Sequence, residues 1–188
     1  MAYANMAASA SPTNTVLNLQ QFFDYQGALG LQLYVPQNKN QNGTLSPYAG
    51  MCEAVFVPAG VTVLQNGVIN LVPNTTAYTA PNGQSITPAF VATNGTGSAG
   101  RVAINDLSGQ QIAPTATQVA NVVFMTTKGI GLALASANVT VGDNIVATDG
   151  SVAPLDAPAS GSAIVGLCGM ALESFAASTT VPGLVNIF

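Results

Sequence analysis

Along much of this chain, hydrophobic and polar positions alternate with period two, in short runs that stop at turn residues. From Tyr25 to Val35 the apolar positions Leu29, Leu31, Leu33 and Val35 alternate with Gly30, Gln32 and Tyr34, the pattern of a half-buried strand. Pro36-Gln-Asn-Lys-Asn-Gln-Asn-Gly-Thr44 then reads as an exposed loop with a turn at Asn42-Gly43. Residues 53–57 form the next strand pattern, closed by Pro58-Ala-Gly60. Val61-Thr-Val-Leu-Gln65 and Val68-Ile-Asn-Leu-Val72 flank Asn66-Gly67, which predicts a hairpin with a type I′ turn, both central residues taking positive φ.

Beyond it, Pro81-Asn-Gly83 is a turn, residues 89–92 a short strand, and residues 94–100 a Gly-rich connection that is either a long surface loop or a lobe boundary. Strands resume at 101–104, turn at Ser108-Gly109, and return at 119–125. The last third, Lys128 to Phe188, consists of apolar or alternating runs that end in Gly142-Asp143, Asp149-Gly150 and Pro182-Gly183. Its final run, Leu184, Val185, Ile187 and Phe188, predicts a strand tied into a sheet, because a frayed end would expose these side chains. The fold class expected is all-β: an antiparallel Greek-key sandwich or barrel over residues 25–188, with an N-terminal arm over residues 1–24.

Helical spacing occurs only in that arm. Val16, Leu17, Leu19, Phe22 and Phe23 cluster as a short helix following Ser11-Pro12. Packing on its own domain and packing on a neighbouring subunit both satisfy this pattern. The expectation adopted is an arm that crosses a subunit boundary. Its interaction residues are Leu17, Leu19, Phe22 and Phe23, with the two Phe rings as anchors and the β domain from Tyr25 folding on its own.

Composition changes the picture of the surface. Charged residues are 5% of the 188, against about 25% in ordinary soluble domains. Mean hydropathy is +0.42, yet the longest apolar run, residues 163–172, is shorter than the roughly 18–20 residues of a spanning helix. Aromatics at 6% are too few for the girdles of a membrane barrel, so no membrane partner is expected. Three basic residues cannot supply the phosphate contacts on which nucleic-acid affinity rests, so no nucleic acid is expected either. A net charge of −4 gives little repulsion between copies. That suits a surface covered by copies of itself or by a larger assembly; the alternative is a stable secreted β protein rich in Thr and Asn.

Reactive chemistry is sparse. With no His in the chain, Ser-His-Asp and Cys-His relays and imidazole metal sites are excluded. The seven acids are scattered; Asp149 and Asp156 with backbone carbonyls suit a Ca²⁺ ion less well than they suit plain turns. Gly129-Ile-Gly131 lacks the lysine pattern of a phosphate loop. No enzyme activity and no cofactor are expected, and no aromatic or acidic cluster for a ligand is visible. Cys52 and Cys168 lie in apolar runs, and no base precedes Lys39 to make a secretory n-region. Buried free thiols in a reducing cytoplasm follow as the expectation.

Three stretches of the last third carry a family resemblance. They are Val139-Thr-Val-Gly-Asp-Asn-Ile-Val146 with Asp149-Gly150, Ile164-Val-Gly-Leu-Cys-Gly-Met-Ala-Leu-Glu-Ser-Phe-Ala-Ala177, and Leu184-Val-Asn-Ile-Phe188. A Gly-Asp turn enters an apolar strand, a Val-Gly-x-Ala-Leu-Glu-like strand follows, and a small-residue loop leads to a final apolar strand. This resembles the C-terminal part of tailed-bacteriophage capsid decoration (cement) proteins. The chain departs from the pattern in its low charge and in Pro182-Gly183, and the resemblance does not extend before Gly60. It implies a structural virion protein, made in the host cytoplasm and placed on the capsid exterior. There it would bind the major capsid protein and bridge capsomers as a homo-oligomer, most often a trimer. A phage fibre or adhesin-type binding module is the alternative.

Overall fold

In a computed structural model, the protein is described over residues 16–24, 32–35, 49–94, 101–148, 150–155 and 167–188. The upstream part contains β1 (Val16–Asn18), α1 (Leu19–Asp24), β2 (Gln32–Val35), β3 (Ala49–Pro58), β4 (Val68–Pro73), β5 (Tyr78–Thr79), β6 (Ser85–Ile86), β7 (Phe90–Thr93) and β8 (Val102–Ile104). The 16-residue β9 (Ala120–Ala135) follows, then β10 (Asn144–Ala147), β11 (Val152–Pro154), β12 (Leu167–Ala171) and β13 (Ser178–Ile187). Among the described residues the fold is all-β apart from α1, and every strand pairing is antiparallel except one.

Strand β9 is the shared spine. Its first half pairs with β3 on one edge and with β1 and β8 on the other. Its second half pairs with β13, and Ala135 meets Val152 of β11 in the parallel contact. The ladders β13–β12, β12–β10 and β10–β11 complete a ring that returns to β9. This closed five-stranded barrel leaves none of its strands as a bare edge. The connections from β9 to β10 and from β11 to β12 each skip a neighbour in the ring, so the barrel is not a simple meander.

A bulge separates the two halves of β9. Met51 of β3 faces Lys128, but Cys52 faces Thr126, so Thr127 is the extra residue. Two residues on, Gly129 takes a φ of +102°, a conformation that costs side-chain-bearing residues about 1–2 kcal/mol. The strand therefore bends out of the upstream sheet and into the barrel at this point. The sequence pattern placed separate strands before and after Lys128; the structure joins them through the bulge.

Packing explains why the pattern differs along β9. In the upstream half both faces are covered, so Val122 and Phe124 join one core with Leu19, Phe22, Cys52 and Phe56. Val123 and Met125 join the opposite core with Val55, Val57, Ile69 and Leu71. A strand buried on both faces reads as a continuous apolar run. In the barrel one face is inside, and Ile145, Ala147, Val185 and Ile187 fill it while Val146, Leu184 and Asn186 are half-buried.

Several local expectations are met. Gly83 (φ +85°) and Gly142 (φ +89°) sit in the predicted turns, and β13 is paired on both sides, with β9 and β12. Cys52 and Cys168 are buried in different cores and are not bridged to each other. Others are corrected. No hairpin forms at Asn66-Gly67, because β4 pairs with β7 and β8 instead. Only Asn66 takes positive φ there (+57°), and the Gly67 amide closes a four-residue turn on the Leu64 carbonyl at 2.9 Å. Val63 is drawn away from β4 by its bridge to Ile112. Pro182-Gly183 lies inside β13, at a register shift between Ser178 and Gly183 rather than at a chain reversal. The strands on either side of 94–100, β7 and β8, belong to one sheet through β4, so the change of core falls in β9 and not there. Residues 1–15, Leu29 and Leu31, the 36–44 loop, residues 95–100, Asp149 and Asp156 lie outside the described residues.

Candidate functional site

The four expected interaction residues are brought together, but on their own chain. Leu17 and Leu19 are 6% and 0% exposed and Phe22 3%, all in the core with Phe56 and Phe124. Phe23 is partly buried against the same core and meets the Phe22 ring edge-on, centroids 5.9 Å apart. For residues 16–24 this corrects the separable arm, and the domain begins before Tyr25. The physical reason is cross-strand pairing: Val16, Leu17 and Asn18 match Val123, Val122 and Asn121 of β9. The helix also starts later than expected. Asn18 Oδ1 accepts from the Gln21 amide at 2.9 Å, and Gln21 Oε1 accepts from the Asn18 amide at 3.0 Å. That reciprocal cap fixes Asn18 as the residue before the first turn.

A cluster that the sequence pattern did not reveal lies between β3 and the connection from β6 to β7. Glu53 projects from β3 on the face turned toward β4 and β7, and only 9% of it is exposed. Arg101, just before β8, is held over β4 by its own carbonyl, which accepts from the Leu71 amide at 3.0 Å. Its Nη2 donates to Glu53 Oε2 at 2.5 Å. The guanidinium carbon stands 4.7 Å from the centroid of the Phe90 ring, inside the range of a cation–π contact. Phe90 opens β7 opposite Pro73 and remains 37% exposed. Phe56, Leu71, Ile86 and Pro88 complete the wall of a cleft of about 270 Å³. Here an acceptor and an aromatic ring line one concave surface, and Arg101 stands beside the cleft in contact with both of them. The three residues are distant in sequence, and the only trace they leave is an Arg and a Glu inside strand patterns in a chain that has few charges to spare.

A second polar cluster ties the upstream sheet to the barrel. Asn105 and Asp106 follow β8 and are 0% and 4% exposed. Asn105 Nδ2 donates to the carbonyls of Leu64 and Gln110, and Ser108 Oγ donates to Asn105 Oδ1. Asp106 accepts from Thr126 Oγ1 at 2.8 Å and from the Leu132 amide at 3.3 Å, so it bridges the bulge of β9. Burial pushes its carboxyl up to about 7, and these hydrogen bonds oppose the rise only in part. Gly131 is needed beside it, because a β-carbon there would overlap Asp106 Oδ2. These groups are enclosed, and they hold structure rather than offer themselves to a ligand.

The remaining described carboxylates are also engaged internally. Asp24 accepts from Gln20, Asp143 from the Thr140 amide, and Glu173 from the Leu184 amide. Among the described residues, no group of three His, Cys, Asp or Glu side chains is placed to hold a metal ion.

No family model matches this chain, and no curated protein matches it in sequence. Among solved structures, the N-terminal base of head fibre gp8.5 of bacteriophage phi29 is similar with a TM-score of 0.43 and 14% identity, over 73% of this chain and 95% of that one. At that level of likeness, function has to be argued from this chain's own surfaces.

Proposed function

We propose that the chain is a structural virion protein of a tailed phage, a decoration or cement protein on the capsid exterior, made in the host cytoplasm. It bridges capsomers by binding the major capsid protein and further copies of itself, as a trimer, and it has no catalytic role. The observation that carries this reading is the surface of the barrel. Val141, Leu167, Val181 and Phe188 stand 40–66% exposed there, while Asp143 and Glu173 are engaged by backbone amides of their own chain. A surface rich in apolar and uncharged groups suits contacts made by shape and desolvation, largely independent of salt. A second cleft, about 360 Å³ and lined by Leu64, Gln65, Asn66, Gln111, Thr179 and Thr180, carries no charge at all.

Bridging adds interface area across the joints of a shell, and repetition over many copies multiplies a modest contact into stable occupancy. The test is addition of purified protein to heads of its phage that lack it. Saturable co-sedimentation is expected, together with lower occupancy for the doubly substituted Val141→Asp, Val181→Asp protein, whose changes fall on exposed side chains. A stable monomer by light scattering at micromolar concentration that also fails to sediment with heads would sink the reading. The second reading, a fibre or adhesin-type module, is favoured by the cleft at Glu53, Phe90 and Arg101.

A further inference from the structure

We propose that the cleft between β3 and the β6–β7 connection is a carbohydrate site that takes one neutral sugar ring, packed at Phe90 and hydrogen-bonded between Glu53 and Arg101. The charge pattern selects the ligand class. A carboxylate or phosphate drawn to Arg101 meets Glu53 beside it, and a cation drawn to Glu53 meets Arg101. The pair is Oε2 to Nη2 at 2.5 Å, too close for an ion of either sign to engage one member without opposing the other. A neutral ligand with adjacent hydroxyl groups has no such conflict, since a hydroxyl both donates to carboxylate and accepts from guanidinium.

The pair is already assembled, which lowers the cost of ordering it around a ligand. Glu53 is held in a largely buried position, its side chain 12% exposed, while the Arg101 side chain is 37% exposed and reaches the surface. Arg101 spends one donor on Glu53, and the guanidinium fork carries five. The apolar face of a sugar ring needs a flat partner. Arg101 covers one face of the Phe90 ring; the residue is still 37% exposed, so the opposite side of the ring is the one assigned to the sugar, and Ile86 and Pro88 extend the same wall. Size sets the limit on length. At about 270 Å³ the cleft falls just under the roughly 300–1,000 Å³ of drug-sized sites, so it holds a single ring and not a buried oligosaccharide. The site does not depend on the capsid reading: sugar binding without head binding, or the reverse, separates the two.

The test is titration of isotope-labelled full-length protein, followed by amide NMR, with the methyl glycosides of glucose, galactose, mannose and N-acetylglucosamine. At least one is expected to shift the amides of Ala54, Ile86 and Phe90 with a Kd of about 1 mM, the affinity open to a ligand of this size. Phe90→Ala, a change at an exposed side chain, is expected to weaken it about tenfold with the rest of the spectrum unmoved. Arg101→Lys keeps the charge but loses the fork and is expected to weaken the same glycoside. Phosphate and choline serve as the charged probes, and neither is expected to move the cleft amides. The proposal is overturned if none of the four glycosides shifts these amides, if Phe90→Ala binds undiminished, or if phosphate or choline binds there more tightly than the sugars.

Discussion

The two halves of the molecule share β9 yet reach stability by different means. The upstream sheet is covered on both faces and packs large side chains, with Phe22, Phe56 and Phe124 in one core and Met125 and Ile112 in the other. The barrel core is made of Ala, Val, Ile and Cys, with Phe175 only partly buried at its margin. Five strands enclose less width than the roughly eight whose interior side chains just fill, so small residues are what fit. Buried polar groups divide the same way. Among the described residues, Glu53, Asn70, Asn105, Asp106, Ser108, Asn121 and Thr126 lie upstream or at the junction, and Ser151 alone is in the barrel. In the barrel half, side chains that hold backbone lie nearer the surface, Asp143 on the Thr140 amide and Glu173 on the Leu184 amide. In the open sheet the buried Asn105 holds the carbonyls of Leu64 and Gln110, and Asn121 Oδ1 is buried without a hydrogen-bond partner among the described residues.

The largest expected effect follows from this contrast in size. Phe124→Ala removes a ring that is 1% exposed and should cost about 3–5 kcal/mol, while Ile145→Val in the barrel should cost about 0.5–1.5 kcal/mol. Urea unfolding of both variants measures the gap. Equal losses would show that the two cores are filled to the same tolerance, contrary to their compositions.

How far the sequence could be read depends on the same contrast. The barrel strands bury one face, so Ile145 and Ala147, or Val185 and Ile187, announce themselves by alternation, and the turn at Gly142-Asp143 is legible from its dipeptide. Residues 120–125 alternate with nothing, because both of their faces are buried. The bulge at Thr127 leaves no compositional mark, so β9 could not be recognised as one strand. Asn66-Gly67 misled for a third reason: turn chemistry was right for one residue, but the partner of β4 was decided by packing with β7 and β8. The cleft at Glu53 was invisible because its three residues meet only through the sheet order. The capping pair Asn18 and Gln21 was readable, and it marks where α1 begins.

At the junction of the halves, the next largest effect is a dependence on pH. The Asp106 carboxyl rises from 3.8 in the unfolded chain to about 7 in the fold, so the folded state keeps a proton that the unfolded state gives up. Its contribution is fully present below pH 3.8 and is lost as pH rises through about 7. The rise from 3.8 to about 7 corresponds to at most about 4 kcal/mol. Asp106→Asn keeps an oxygen for the Leu132 amide and a polar group for Thr126, without a charge. Its stability should be level between pH 5 and 8 (about three pH units), while the parent chain weakens over the same span. Parallel pH slopes for the two proteins in thermal melts would mean that Asp106 is not the group responsible.

Filling, as opposed to emptying, should reverse the order of the halves. Ala133 is 0% exposed inside the barrel, where a longer side chain has no room that strand closure can yield. Ala133→Leu should destabilise by about 1–3 kcal/mol through overpacking. The matching change Ala54→Leu, at a position 6% exposed in the two-faced sheet, should cost less, because α1 and the β5–β6 hairpin can shift outward. Denaturant midpoints of the pair decide it, and a larger loss at Ala54 would reverse the assignment of the tighter core.

The smallest effect tests where the upstream half begins. Asn18 and Gln21 exchange hydrogen bonds at 2.9 and 3.0 Å, and Gln20 Oε1 accepts from the Asn82 amide at 3.1 Å, tying α1 to the β5–β6 hairpin. If residues 16–24 belong to the core, Asn18→Ala should lower the stability of the whole cooperative unit by about 1 kcal/mol, the usual value of an N-cap. If they form an appendage, the same change would fray a six-residue helix and leave the unfolding midpoint of the β domain where it was. Following the ring of Tyr78, which lies 4.8 Å from Phe56 and packs against the core that holds Phe22, by NMR separates the outcomes. Loss of its signal in the same transition as the far-ultraviolet strand signal places α1 inside the fold, and an earlier separate transition removes it.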